Sequence, residues 1–315
     1  MRKILISVMV LLFALPIIAY ADYPTRPITI IIPSKAGGST DTTARLFSVA
    51  AKKYWKGADF VIKNVGGSGG QKGFEEIARA EPDGYTIGMV FTTQVVAHIV
   101  SKRAKYTLDS FHIMGNVCHD PEIVVVPPKS PYTSLDELAK GAKGKTLIAA
   151  VNGIGSDDHV AMLKFENHAG VKFNMMPTKG STEQKAAVMG GHVDVAFMNV
   201  SQMYAQQRAG DARIIALLDD NRTDLLPDVK TAKEQGYPVS MNMTATRGFV
   251  APARVDKQIL KKLDDLLMKV LKDEEFLANC KKSALLLLPM TGKEYRSYLD
   301  GEAAETKKFY DKNPW

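Results

Sequence analysis

Strand and helix signals alternate along most of this chain, and that alternation constrains its fold more than any other feature. Short apolar runs rich in β-branched residues predict buried strands, and amphipathic helical patterns follow them after short loops. Strand, loop and helix repeated at this spacing predict βαβ units with parallel strands, hence an α/β fold. Strands are predicted at 28–32, 60–62, 86–91, 123–126, 147–151, 193–198, 214–218 and 248–251, and helices beyond residue 255.

The first 21 residues are predicted to be a signal peptide and not part of the fold. Arg2 and Lys3 precede an apolar run at 4–18, and Ala-Tyr-Ala at 19–21 fits a cleavage site. An uncleaved membrane anchor is the alternative, but the run is short for a span of ~20 residues. We therefore expect a periplasmic protein whose mature chain starts near Asp22.

Composition limits the partners and cofactors. The net charge of +7 falls to +5 once Arg2 and Lys3 are removed, and basic residues do not cluster with aromatic ones, so a nucleic-acid partner is not expected. The two cysteines, Cys118 and Cys280, exclude a cysteine-based zinc module and leave one disulfide possible. Neither a cofactor nor a metal ion is expected.

Two loops place glycines between a predicted strand and a predicted helix, at 36–41 and 153–156. A helix N-terminus presents unpaired backbone N–H groups and the positive end of the helix dipole, both of which favour anions. In open α/β sheets, ligands bind at the carboxyl ends of the strands. One such loop in each half of the chain predicts an anion-binding cleft. Alternatively, the glycines make tight turns and Ser39 and Ser156 only cap helices.

Two enzyme-like motifs were weighed against this interpretation. Gly-Gly-Ser-Gly-Gly at 66–70 fits the G-x-S-x-G pattern of a serine hydrolase around Ser68. The last histidine is His192, so the C-terminal third lacks the histidine such a serine usually needs. Asp-Asp-His at 157–159 suggests a metal site, but consecutive helical residues point in different directions. Neither motif is expected to function as an enzyme site.

The motifs, taken in order, resemble the Bug family of substrate receptors of tripartite tricarboxylate transporters. The resemblance extends from about Tyr23 to Tyr310. No single stretch is specific, but their order and spacing are. The matching stretches include Y-P-x-R-P-I at 23–28, P-x-x-A-G-G-x-x-D at 33–41, P-D-G-Y-T at 82–86, G-x-G-S-x-x-H at 153–159 and R-G-x-x-A-P at 247–252.

The resemblance implies a type II periplasmic-binding-protein fold, in which two α/β lobes surround a ligand cleft and helices end the chain. Lobe 1 would comprise 22–123 and 247–315, and lobe 2 would comprise 124–246. It implies a monomeric receptor, not an enzyme, for a di- or tricarboxylate or an aromatic carboxylate. The receptor would deliver this ligand to the membrane subunits of the transporter. The alternatives are a serine hydrolase that uses Ser68 and a ligand sensor for a membrane signalling partner.

The resemblance also implies the ligand-binding residues. In the family, the two glycine loops hold one carboxylate through backbone amides and bridging waters, and later loops contact the rest of the ligand. Arg247 either pairs with a second carboxylate or lies on the hinge surface, and Lys179 is expected to be a solvated loop residue, with lining of the cleft as the alternative. Thr178 replaces the family's usual tyrosine, which leaves the ligand open. The expected set is Ala36, Gly37, Gly38, Ser39, Thr40, Asp41, Thr92, Thr93, Gln94, Gly155, Ser156, Thr178, Asn199 and Arg247.

Overall fold

The computed structural model describes residues 23–241 and 243–315, so the predicted signal peptide lies outside the described residues. The strands are β1 (Ile28–Ile32), β2 (Phe60–Asn64), β3 (Thr86–Phe91), β4 (Phe111–Val126), β5 (Leu147–Val151), β6 (Phe173–Pro177), β7 (Val195–Asn199), β8 (Arg213–Leu218), β9 (Thr244–Pro252) and β10 (Leu286–Thr291). The helices are α1 (Ser39–Tyr54), α2 (Gln71–Arg79), α3 (Gln94–Val100), α4 (Leu135–Gly144), α5 (Asp157–Ala169), α6 (Ser181–Met189), α7 (Val200–Ala209), α8 (Lys257–Val270), α9 (Glu274–Lys282) and α10 (Gly292–Lys312).

The strands pair into one sheet with two halves, in the order β2-β1-β3-β9-β4-β7-β5-β6. In the first half β1, β2 and β3 are parallel, and in the second half β5, β6 and β7 are parallel. The long strand β4 belongs to both halves. It pairs with β9 up to Pro121 and with β7 and β8 from Glu122 onward. The chain therefore passes between the halves at two extended segments.

Each half of the sheet has its own apolar core. In the first half, α1, α8 and α9 cover one face, where Phe47 packs on Phe249 with ring centroids 4.3 Å apart. In the second half, Phe165 packs near Phe197 and Tyr237. Burying one large apolar side chain contributes about 1.5–3 kcal/mol, so each core is a major source of stability for its half.

The structure extends the predicted strand pattern. The prediction covered only 123–126 of β4 and 248–251 of β9, and it omitted β6, β10, α3, α6 and α7. The missed part of β4 contains the polar residues Asn116 and Asp120, which interrupt the apolar run but are buried through distant partners. Cys118 and Cys280 are both buried and free, so the disulfide left open by the sequence is not formed.

The described helices include none that is long and apolar enough to span a membrane.

We expect Gly301→Ala to stabilise the fold. Gly301 lies inside α10, is exposed, and a Cβ atom there would meet no atom within 4 Å. Alanine lowers the backbone entropy of the unfolded chain, so the free energy of unfolding should rise by about 0.5–1 kcal/mol in a urea titration. The matched change Gly248→Ala should destabilise instead, because its Cβ would collide with the Tyr295 ring and lie 2.5 Å from the Gly115 carbonyl oxygen. A loss of stability in Gly301→Ala would contradict this account of α10.

Candidate functional site

A cavity of about 340 Å³ lies between the two halves of the sheet. Its walls come from the loops that follow β1, β2 and β3 in the first half and β5, β6 and β7 in the second. These are the carboxyl ends of parallel strands, where open α/β sheets bind ligands. The expected residues on its wall are Gly38, Ser39, Thr40, Thr92, Gln94, Thr178, Asn199 and Arg247.

The remaining expected residues lie beside this wall. Ala36 and Gly37 line a neighbouring groove that also includes Lys185. Thr93 is completely buried. The other three, Asp41, Gly155 and Ser156, lie in the two glycine loops and hydrogen-bond within them.

The loop after β1 leaves the N-terminus of α1 open. Gly38 is the N-cap residue, and no side chain caps the helix there, so Ser39 is the first helical residue and not a cap. No acceptor among the described residues pairs with the backbone N–H groups of Gly38, Ser39 and Thr40. Together with the helix dipole, these three unpaired donors favour an anion at this part of the cavity wall.

Asp41 holds that loop in place. Its side chain is nearly buried and accepts hydrogen bonds from Gly37 N (3.0 Å), Asn64 Nδ2 (3.0 Å) and Arg45 Nε (2.8 Å). Burial by itself raises the pKa of Asp41, but the hydrogen bonds from Arg45, Gly37 and Asn64 outweigh it and lower the pKa below its ordinary value. The carboxylate therefore holds in place the loop that carries the three unpaired N–H groups.

The loop after β5 differs, because its own side chains satisfy much of its backbone. Ser156 Oγ accepts from His159 N (3.0 Å), so Ser156 does cap α5. His159 Nδ1 accepts from Gly155 N (3.1 Å), and burial lowers the pKa of His159 to about 4, so the ring is neutral. Asp158 Oδ2 accepts from Asn152 N (2.8 Å). This loop offers fewer unpaired donors than the loop after β1.

Arg247 is buried on the cavity wall, so it does not lie on a hinge surface. Its Nη1 atom lies 2.8 Å from Asp120 Oδ2, and its Nη2 atom donates to Asn199 Oδ1 at 3.3 Å. Asp120 also accepts from the backbone N–H of Ser201 at 2.9 Å. The guanidinium is thus ion-paired with Asp120, although its Nε and Nη1 atoms make no hydrogen bond within the described residues.

A group of carboxyls beside Arg247 was not expected from the sequence. Oxygens of Glu122, Asp157 and Asp158 lie within 4.8 Å of one another, and all three residues are at most 2% exposed. Burial raises the pKa of Glu122 well above its usual range, and the nearby Asp158 and Asp157 carboxyls raise it further. The signal in the sequence was the Asp157-Asp158 pair, which was set aside because consecutive helical residues point in different directions, yet oxygens of both side chains lie close to each other and to Glu122.

Ser68 lies on the rim of the same cavity. Its hydroxyl makes no hydrogen bond to a histidine within the described residues. A serine nucleophile needs such a partner to take its proton. The geometry therefore does not favour the hydrolase alternative.

The two-part sheet and the cavity between its halves define a two-lobed solute-binding protein. A family model described as "Tripartite tricarboxylate transporter family receptor" matches residues 44–312. The chain belongs to this family, which confirms the resemblance found in the sequence. Its members are solute-binding receptors and not enzymes.

Similar proteins agree with this assignment. Protein BugT of Bordetella pertussis is 31% identical over 76% of this chain and 74% of its own length. The structure of the periplasmic binding protein BugD covers 92% of this chain and 98% of its own, with 26% identity and a TM-score of 0.86. MatC of Rhodopseudomonas palustris, solved with bound malate, covers 91% and 99%, with 23% identity and a TM-score of 0.85. The type II periplasmic-binding-protein fold is thereby confirmed.

We expect Asp41→Asn to destabilise the protein by about 1–3 kcal/mol at pH 7, because it removes charge-assisted hydrogen bonds to a buried group. Since the pKa of Asp41 is lowered in the folded state, its contribution is present above the unfolded pKa of about 3.9 and is lost as the pH falls through the folded pKa. Urea titrations should show that the variant and the wild type differ less in free energy of unfolding at pH 3 than at pH 7.

The matched control for this variant is Asp265→Asn. Asp265 forms an exposed pair with Lys261, and such pairs contribute about 0–1 kcal/mol. Equal losses in the free energy of unfolding of the two variants would show that the hydrogen bonds of Asp41 do not stabilise the loop.

Proposed function

We propose that this protein is an exported receptor that binds a small organic carboxylate between its lobes and delivers it to the membrane subunits of a tripartite tricarboxylate transporter. The observation that carries the proposal is the N-terminus of α1, where the backbone N–H groups of Gly38, Ser39 and Thr40 have no acceptor within the described chain. A carboxylate oxygen accepts several such bonds at once, and bonds to a charged acceptor are the stronger kind.

Positive charge at the cavity supports the same ligand class. Lys35 and Lys179 line the cavity and are exposed, and neither forms an ion pair with a described carboxylate. They extend from opposite halves, and Lys35 Cδ lies 4.0 Å from the Cβ position of Gly180. A second carboxylate on the ligand would find its counter-ions here, which favours a dicarboxylate.

The size of the site and the similar proteins also support this proposal. A volume of about 340 Å³ falls at the small end of the range for small-molecule sites, about 300–1,000 Å³. MatC, which shares the fold, was solved with malate, a dicarboxylate. Malate is therefore a suitable first probe.

Ligand capture would close the two lobes by a hinge motion. We place lobe 1 at 22–123 and 247–315 and lobe 2 at 124–246. The change of strand partners between Pro121 and Glu122 lies close to the first boundary. The start of β9 at Thr244 lies close to the second boundary. These two extended segments are where backbone rotation would separate the lobes.

We expect Gly38→Val to weaken carboxylate binding at least tenfold. Gly38 has an extended backbone (φ −82°), and a Cβ there lies 3.5 Å from Ser181 Oγ, so the fold tolerates a side chain. The valine methyl groups would occupy the space in front of the α1 N–H groups. Malate, citrate and benzoate should each be titrated into both proteins by calorimetry to measure affinity. In a separate unfolding experiment, a ligand at 100 times its dissociation constant should raise the free energy of unfolding of the wild type by about 2.7 kcal/mol.

The control Gly144→Val places the same side chain at an exposed helix end where a Cβ meets nothing within 4 Å. It should bind like the wild type. Unchanged affinity in Gly38→Val, or no carboxylate that stabilises the wild type, would refute the anion site at α1.

A further inference from the structure

The segment that follows α10, residues 313–315, touches the half of the molecule to which α10 does not belong. Tyr295 and Leu299, near the start of this helix, pack in an apolar core of the first half. At its other end, Asn313 Oδ1 accepts a hydrogen bond from Asn167 Nδ2 of α5 at 2.8 Å. Because α5 follows β5 in the second half, this contact joins the two halves at a place separate from the connecting strands β4 and β9.

Trp315 extends this contact to the glycine loop after β5. Its indole folds back on α10, with its ring centroid 4.8 Å from that of Tyr310, and packs edge-to-face on His159 at 5.6 Å. A Cβ atom at Gly155 would lie 3.0 Å from Trp315 Nε1. Gly155 and His159 are joined by the hydrogen bond that shapes this loop. Trp315 therefore contacts both partners of that bond from the first half of the molecule.

Other loops of the two halves also touch around the cavity. Arg103, which lines the cavity from the first half, donates from Nη2 to Ile154 O at 3.3 Å. The Cβ position of Gly38 lies 3.5 Å from Ser181 Oγ. The two halves are thus closed over the cavity, and the contact of Trp315 with the loop after β5 belongs to this closed arrangement.

The Trp315 contact leaves one polar group unpaired. Its Nε1 atom is buried and has no acceptor within the described residues. Buried indole N–H groups usually have a hydrogen-bond partner, and leaving the donor unpaired opposes the gain from burying the ring. The contact is therefore weaker than that of a fully paired indole. Such a contact can break when the halves separate, because water then pairs with the N–H group.

We propose that Trp315 is a positioning residue that reversibly joins the end of α10 to the glycine loop after β5 when the halves close. The inference rests on the proposed function, because a ligand held between the halves is what favours the closed arrangement. Affinity falls when the binding-competent arrangement is less populated. Trp315 is not among the residues that line the cavity, so its loss should weaken binding without removing a group from the cavity wall.

Substitutions at Trp315 test its effect on affinity. The probe is whichever of malate, citrate and benzoate binds the wild type most tightly in calorimetry. Trp315→Ala should bind it about fivefold more weakly than the wild type does. Trp315→Phe keeps an aromatic ring and removes the unpaired N–H group, so it should bind as tightly as the wild type or more tightly. Lys312→Ala, an exposed change on α10, should bind like the wild type.

Fluorescence tests the contact itself. The sequence contains two tryptophans, so Trp55→Phe leaves Trp315 as the only one. Acrylamide should quench Trp315 less when the same carboxylate is present, because closure shields the indole from solvent. The control is Trp315→Phe, which leaves only Trp55, a residue that packs on Tyr23 within the first half. Its quenching should not change with the ligand.

A cross-link tests the contact without any ligand. In the Trp55→Phe protein, Asn167→Cys and Asn313→Cys place two thiols where the side chains now share a hydrogen bond, and both native cysteines are buried. Joining the new thiols with a short bismaleimide should lower the quenching of Trp315 by acrylamide. The two single-cysteine variants, treated with the same reagent, should show no such decrease.

The results separate this inference from the function it rests on. If a carboxylate binds but the quenching of Trp315 does not change, the contact is permanent, and the inference is refuted while the receptor stands. If no carboxylate binds but the cross-link lowers the quenching, the receptor proposal fails and the reversible contact stands. Unchanged quenching after cross-linking also refutes the reversible contact. Wild-type affinity in Trp315→Ala, or equal weakening in Trp315→Ala and Trp315→Phe, refutes the positioning role.

Discussion

The buried ion pair between Asp120 and Arg247 lies where the two halves of the molecule meet. Asp120 is on β4 and Arg247 on β9, the two strands that connect the lobes. A buried pair of this kind tolerates the loss of neither partner, because the remaining charge would be stranded away from water. The pair therefore fixes β4 against β9 and holds the wall of the cavity in one arrangement.

The same ion pair is part of a hydrogen-bond network that makes the cavity wall polar. Asn199 lies at its centre, since its amide nitrogen donates to Asp157 and Glu122 while its oxygen accepts from Arg247. Each half of the sheet supplies part of this network, and the apolar cores lie outside it. The cavity wall is thus built from hydrogen bonds between strands of both halves, whereas stability comes mainly from the apolar cores of each half.

Local sequence signals predicted the parts of the fold that depend on neighbours in the chain. The strand at 28–32, the glycine loops and the C-terminal helices follow from periodicity and turn residues, and the order of the motifs identified the family. Most of β4 was not predicted, because Asn116 and Asp120 are buried by partners far away in the sequence. Side-chain direction was also not predictable. The side-chain hydrogen bonds of Asp41 to its own loop are an example.

The two glycine loops look alike in the sequence and differ in the structure. One exposes the N–H groups of α1, and the other is hydrogen-bonded to itself and brings Asp157 to the wall. Hydrogen-bond donors therefore face the cavity from one half and a carboxyl group faces it from the other. The guanidinium of Arg247 is a third group with a fixed position on the wall. Three different fixed points distinguish a molecule from its mirror image. This cavity is consequently chiral in its chemistry as well as its shape, and a substituted acid held at all three points would bind as one enantiomer.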